Sequence, residues 1–341
     1  MEKNVMFVIQ IADVVDVLKF FNCDSTVLTI DLISHYQVNK KVVLIIKAKT
    51  SSKDYILKFY SDNVVDVKKE NLQCEFSEFL FAEGIAVPHK YAVKGEYVVK
   101  LKIGYILFFV TVEDVFGGDI EIVSKDSAYQ LGRILAEIHR ISRQADYHLP
   151  TGIAFNSLYS PKVEYESVWK NISLPIGDEI KKTRELHNRS IVKLRQLWKE
   201  LPAYAVHGDL ALTSNLMYDE KKGYGIIDFN LSGDEILLGD LLITWYSSRY
   251  SESFIKQISS QNILNIRQAF FSGYFDVCQL HKSEVDIFEQ SSKIINGLFF
   301  SKYVASKSVK NNADMVQLYA KVPENFDRFD FLDCVNTLID E

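Results

Sequence analysis

A histidine, a glycine and an aspartate stand in a row at His207-Gly208-Asp209, followed by Leu210, then Asn215, then Asp228 in the stretch Ile226-Ile227-Asp228-Phe229. Asp209 and Asp228 are nineteen residues apart. Between them a short apolar strand after Asn215, a turn at Asp219 to Gly223 and a second strand read as a hairpin. That hairpin would carry Asp209, Asn215 and Asp228 to one end of a sheet. A cluster of this kind suits phosphoryl transfer. One carboxylate orients an acceptor hydroxyl and takes its proton, and two more oxygen ligands hold magnesium against the phosphates of ATP. Each residue alone is common turn chemistry; the combination with the hairpin is what points to a site.

The elements that must position these groups are legible upstream. Residues 5–21 predict a helix with Ile9, Ala12, Val15 and Phe20 on an apolar stripe. From about 27 to 60 the pattern turns to strands. Val42–Ala48 and Tyr55–Tyr60, joined by the polar turn at Thr50-Ser51-Ser52-Lys53, predict an antiparallel hairpin with Lys58 on its second strand. Residues 67–83 predict a helix stopped by Gly84 and Pro88, and 96–103 and 105–112 predict two more strands. The run Glu113 to Asp119 is short, polar and glycine-bearing, and the texture after it is mainly helical. The predicted organisation is a first lobe over 1–112, a hinge at 113–118 and a second lobe over 119–341. In the second lobe, 125–142 and 181–200 predict amphipathic helices, with an irregular stretch over 143–175 and a polar tail around Pro323.

The block His207-Gly208-Asp209-Leu210, Asn215 and Ile226-Ile227-Asp228-Phe229 resembles the aminoglycoside phosphotransferase-like family, which also contains choline, homoserine and fructosamine kinases. The resemblance is specific over about 207–240 and weaker over 36–142. It implies an α+β, protein-kinase-like fold of two lobes, with a small antiparallel-sheet lobe that binds ATP and a larger, mainly helical lobe. It implies Asp209 as the catalytic aspartate, Asn215 and Asp228 as magnesium ligands and Lys58 as the phosphate-binding lysine. The partner of Lys58 is expected to be Glu75, nine residues before Gly84, with Glu78 as the alternative. Phe109, Thr111 and Glu113, in the run Leu107 to Glu113, resemble the strand whose backbone reads adenine. His207 and Asp240 are expected as structural support, and His139 as a polar residue packed near the catalytic loop. Two departures stand out. The first hairpin offers only Val38-Asn39-Lys40-Lys41 in place of a glycine-rich phosphate loop, and Asn215 follows Asp209 by six residues, one more than the family pattern, with Ser214 in between.

Composition narrows the class. The chain has 341 residues, 48% of them hydrophobic, with 39 basic against 45 acidic residues and a net charge of −6. That is enough chain for two packed cores, and the balance argues against a nucleic-acid surface, which needs clustered Lys and Arg. Cys23, Cys74, Cys278 and Cys334 form no CxxC pair, which reads as reduced thiols in a cytoplasmic protein. The first residues fit neither a signal peptide nor a membrane span. The reading is an ATP- and magnesium-dependent phosphotransferase acting on a small-molecule hydroxyl, in an amino sugar, amino alcohol, sugar or related metabolite. Asp234 and Glu235 are acidic candidates for receiving a cationic acceptor. A kinase-fold protein that binds nucleotide or a protein partner without turnover is the alternative.

Overall fold

The computed structural model describes residues 9–38, 41–61, 66–150, 196, 198–292, 295–296 and 299. The expected helix over 181–200 and the tail around Pro323 fall almost wholly outside these residues, as do most of the stretch over 143–175, Asn39, Lys40 and Cys334. The chain divides into two units, residues 1–117 with 225–230, and residues 118–224 with 231–341.

The first unit holds helix α1 (Ile11–Phe20), strands β1 (Val27–Val38), β2 (Lys41–Thr50) and β3 (Asp54–Ser61), helix α2 (Val67–Ala82), and strands β4 (Val99–Ile103) and β5 (Ile106–Asp114). The strands form one antiparallel sheet in the order β1-β2-β3-β5-β4. The β1–β2 ladder runs from Val27 opposite Thr50 to Val38 opposite Lys41. Side chains of successive residues alternate between the two faces of a strand. Leu44, Ile46, Tyr55, Leu57, Phe59, Phe108, Val110 and Val112 therefore meet Val14, Val17 and Leu18 of α1 in one core cluster. Burying a large apolar side chain contributes roughly 1.5–3 kcal/mol, so this face fixes the register. Lys58 and Tyr60 are sent to the opposite face. Lys58 stands opposite Thr111 and Ile56 opposite Glu113, so Thr111 and Glu113 share that second face with the lysine.

Residues 225–230 rejoin this unit through specific contacts. The amide of Ile226 donates to the carbonyl of Ala86 at 2.9 Å, the Phe229 ring meets Phe76 edge-on at 6.0 Å, and Gln73 Nε2 donates to the carbonyl of Asn230 at 2.8 Å. Asp228 is thereby carried into the first unit, whereas the sequence reading gave it to the lobe over 119–341.

The second unit contains β6 (Gly118–Asp119), α3 (Lys125–Gln144), β7 (Tyr204–Val206), β8 (Leu216–Asp219), the start of β9 (Gly223–Ile226), β10 (Gly233–Glu235), α4 (Leu237–Arg249), α5 (Glu252–Gln257), α6 (Ser260–Phe275) and α7 (Lys282–Val285). Helix α3 opens on a capping box in which Ser124 accepts from the Ser127 amide, and it buries Leu131, Leu135 and Ile138. It packs on α6 at very short range. A Cβ at Gly132 would lie 2.0 Å from the Phe270 carbonyl oxygen, and one at Gly273 would lie 2.1 Å from that of Tyr129. Short antiparallel pairings, β7 with β10 and β6 with β8, flank the loop that carries His207 to Asn215.

Candidate active site

In the second unit the turn after β7 is tied down from several sides. Gly208 has φ +83°, a left-handed conformation that glycine adopts without a Cβ penalty. Its amide donates to Asp240 Oδ1 at 3.1 Å. Asp240, on the first turn of α4, is completely buried. Its other oxygen lies 3.1 Å from His139 Nε2, and His139 Nδ1 lies 2.8 Å from the Tyr274 hydroxyl. Helices α3, α4 and α6 thus each contribute one member of a chain that ends on the Gly208 amide. His207 is also fully buried; its Nδ1 accepts from the Asp209 amide at 3.2 Å, and its carbonyl accepts from Ser232 Oγ. The residues that follow are held by α4. Ser247 Oγ donates to the Leu210 carbonyl at 3.1 Å, and Ser248 Oγ accepts from the Leu212 amide at 2.9 Å. Asp209 itself is half-buried at the end of this braced loop.

The extra residue before Asn215 is absorbed by a tight turn in which Ala211 and Ser214 exchange backbone hydrogen bonds, each at 3.2 Å. Ser214 is exposed on that turn. Asn215 takes φ +64°, a region that asparagine tolerates better than most residues. Its Nδ2 donates to the Asp209 carbonyl at 2.8 Å and to Asp209 Oδ2 at 3.2 Å. Both donations come from the nitrogen, which turns the carboxamide oxygen away from Asp209.

In the first unit Lys58, 9% exposed, lies 3.1 Å from Asp228 Oδ1 and 3.4 Å from Glu113 Oε1. Asp228 takes φ +65° after the end of β9, again a left-handed position suited to aspartate. Lys90, which sequence reasoning missed, is buried beside them and pairs with Glu113 Oε2. Burial disfavours charge on Glu113, but the Lys58 and Lys90 ammonium groups outweigh it and hold the carboxyl down at about 2. Lys58 loses solvation on burial as well, and Glu113 and Asp228 more than repay it, so its ammonium is held well above the usual lysine range. Burial raises Glu70, which receives the Tyr60 hydroxyl at 3.4 Å and feels the field of Lys58.

Three expectations are corrected here. Glu75 is exposed on α2 and does not pair with Lys58, because the inward face of that helix carries Asn71, Cys74 and Ser77 instead. Glu78 is occupied by the Lys90 amide and by His89 Nδ1 at 3.0 Å. Phe109 sits between Tyr60 of β3 and Lys100 of β4, so its backbone is enclosed by the sheet and cannot read a base edge. Thr111 faces Lys58 across β3, with the Tyr91 amide on the Val112 carbonyl beyond it, and is enclosed likewise. Glu113 turns its side chain to Lys58 and Lys90, and its backbone is flanked by Ile56 of β3 and bridged to Lys90 on the other side. The acidic pair Asp234 and Glu235 is no open cation receptor. Asp234 Oδ1 accepts from the Leu149 amide, and Glu235 is buried against Trp198 Nε1 at 2.7 Å and the Ile236 amide at 2.9 Å. Burial outweighs those two bonds and raises Glu235 to about 8.

Asn215 in the second unit and Asp228 in the first each carry a hard oxygen donor of the kind magnesium takes. Among the described residues no three His, Cys, Asp or Glu side chains gather into a metal cluster of their own. Magnesium is commonly held by one or two side chains together with phosphates, and each of these two donors is of the kind it takes.

Residues 38–269 match the model of the phosphotransferase enzyme family. Among solved structures the chain is similar to an amicoumacin kinase in complex with AMP-PNP and Ca2+, at 14% identity and a TM-score of 0.62, covering 89% of this chain and 91% of that one. It is also similar to a microcompartment-associated aminopropanol kinase, at 13% identity and a TM-score of 0.60, covering 93% and 95%. A third is an aminoglycoside phosphotransferase from Alicyclobacillus acidocaldarius, at 14% identity and a TM-score of 0.54, covering 91% and 93%. No curated protein matches the sequence. These likenesses carry the fold, two lobes with a small antiparallel sheet and a larger helical part. With more than half of its length matched, the chain belongs to the phosphotransferase enzyme family.

Proposed function

We propose that this phosphotransferase moves the γ-phosphate of magnesium-ATP onto a hydroxyl of a small molecule. The observation that carries the reading is Asp209, presented on a loop whose preceding amide is fastened to the buried Asp240 and whose carbonyl and carboxylate are held by Asn215. An acid held in this way can orient an acceptor hydroxyl and take its proton as the new bond forms. Lys58 supplies a buried ammonium for the nucleotide phosphates. Asn215 and Asp228 would hold magnesium, which supplies charge neutralisation on the phosphates when bound. Positioning and electrostatics of this kind account for most of the catalysis in phosphoryl transfer.

The acceptor is proposed to be an amino sugar, amino alcohol, sugar or related metabolite. Asp234 and Glu235 are not proposed to receive it, given their internal partners. No described helix is long and apolar enough to cross a membrane. Cys23, Cys74 and Cys278 are free thiols, which fits the reducing, ATP-rich cytoplasm proposed as its location. Calorimetric titration with ATP, with and without magnesium, tests the nucleotide half of the proposal. Magnesium-dependent binding of ATP, tighter than that of adenosine, is expected; binding of neither would contradict it.

A further inference from the structure

We propose that Glu113, clamped by Lys90, is the positioning residue that holds Lys58 for nucleotide phosphates, in place of a carboxylate on α2. The inference rests on the phosphotransferase reading above and deepens it. In the family pattern the lysine of the small lobe is met by a glutamate from the following helix, and here that helix offers no ion pair to Lys58. Glu75 is exposed, Glu78 is occupied by His89 and the Lys90 amide, and Glu70 receives the Tyr60 hydroxyl.

The sheet provides the replacement. Lys58 stands opposite Thr111 on β5, and Glu113 lies two residues along the same face, which makes it a diagonal cross-strand neighbour within reach of a long side chain. One carboxylate oxygen of Glu113 faces Lys58 at 3.4 Å, and the other is taken by Lys90. Glu113 is 5% exposed and Lys90 8% exposed, so the clamp is shielded from solvent and from salt. A buried carboxylate shared between two ammonium groups keeps one pair intact when the other lysine turns to a phosphate. A helix-borne partner depends on where the helix sits, which is how many protein kinases are switched. A partner on a hydrogen-bonded neighbouring strand does not. Lys58 is thus positioned by the sheet itself, whatever α2 does.

The test compares the full-length wild type with Glu113→Gln, Glu75→Gln, Lys58→Met and the double variant Lys58→Met/Glu113→Gln. Dissociation constants for ATP and adenosine are measured for each, together with, in the proteins that retain Lys58, the rate at which a soluble acylating reagent modifies Lys58 in the ligand-free state. Glu113→Gln is expected to weaken ATP roughly tenfold relative to adenosine, in line with the loss of one hydrogen bond to a charged group. It should also raise the Lys58 acylation rate. Glu75→Gln should change neither, and Glu113→Gln should add nothing in the Lys58→Met background, because the two act as a unit. If Glu113→Gln alone does not fold, Glu113→Gln/Lys90→Met, which removes one charge of each sign, carries the same comparison. An ATP-to-adenosine ratio unchanged by Glu113→Gln, an effect that persists without Lys58, or a loss caused by Glu75→Gln overturns this role alone. A wild type that binds ATP no better than adenosine overturns the phosphotransferase reading, and this role with it.

Discussion

The carboxamide nitrogen of Asn215 donates to the backbone carbonyl of Asp209 at 2.8 Å and to its carboxylate at 3.2 Å. The contact spans one residue more than the family pattern, and the turn from Ala211 to Ser214 takes up the difference. Asn215→Ala is therefore expected to raise the magnesium concentration for half-maximal activity by about tenfold or more, since even the outer partners of a metal are worth about 10–100-fold. Ser214→Ala should leave it within about twofold, since Ser214 is exposed and Asn215 is the proposed ligand. Magnesium titrations of both variants at fixed ATP decide between them, and a shift in Ser214→Ala instead would assign the ligand to the serine.

Lys58→Ala should weaken ATP and leave adenosine nearly unchanged, because the ammonium is proposed to meet phosphate and not the base. Its removal also leaves Asp228 and Glu113 without their shared cation. Some loss of thermal stability is expected alongside. Equal weakening of both ligands would point to disruption of the sheet.

The Glu235 carboxyl sets a pH dependence of stability. Its pKa is raised from 4.5 to about 8 in the folded chain, with burial as the main cause. Between these values the unfolded chain releases this proton and the folded chain keeps it, so stability falls as pH rises from about 4.5 to about 8 and is flat above. The slope from this one group is at most about 1.4 kcal/mol per pH unit. Glu235→Gln keeps an acceptor for Trp198 Nε1 and should flatten the profile. Denaturant unfolding of both proteins at pH 5, 6, 7 and 8 checks it; parallel profiles would remove Glu235 from this role.

Close approach of α3 and α6 makes Gly132 intolerant of even one methyl group. Alanine would favour the helix by about 1 kcal/mol, but its Cβ would fall 2.0 Å from the Phe270 carbonyl oxygen. Forcing the backbones apart costs about 1–3 kcal/mol or more. Gly132→Ala is expected to unfold at lower denaturant than the wild type, and an equal or higher midpoint would show that the helices can separate freely.

Much of this was legible in the chain itself. The compact apolar runs Val42–Ala48 and Tyr55–Tyr60, bounded by a polar turn, mark β2 and β3, and the spacing of Leu131, Leu135 and Ile138 marks α3, where a single apolar face dominates. Helix α2 is different. Its buried side carries Asn71, Gln73 and Ser77 along with Phe76 and Leu80, so apolar periodicity does not say which glutamate faces inward. Asn71 is buried to receive the Tyr97 and Val98 amides, a demand set by a segment far along the chain. Lys90 was missed for a related reason: a lysine after Pro88 reads as a solvated loop residue until its long-range partner Glu113 is seen. The return of residues 225–230 to the first unit depends on the same kind of distant contact, at Ala86 and Phe76.

The central claim is that Asp209 serves phosphoryl transfer from ATP to a small hydroxyl compound. ADP formation by the wild type and by Asp209→Asn, measured with magnesium-ATP and pooled hydroxyl-bearing metabolites, tests it most directly. The account predicts that at least one pool of amino sugars, amino alcohols or sugars raises ADP formation by the wild type. It also predicts that Asp209→Asn lowers that rate by about 10²–10⁴-fold while its ATP affinity stays within about threefold. No acceptor-dependent ADP formation in any pool, or equal rates in the two proteins, would contradict it.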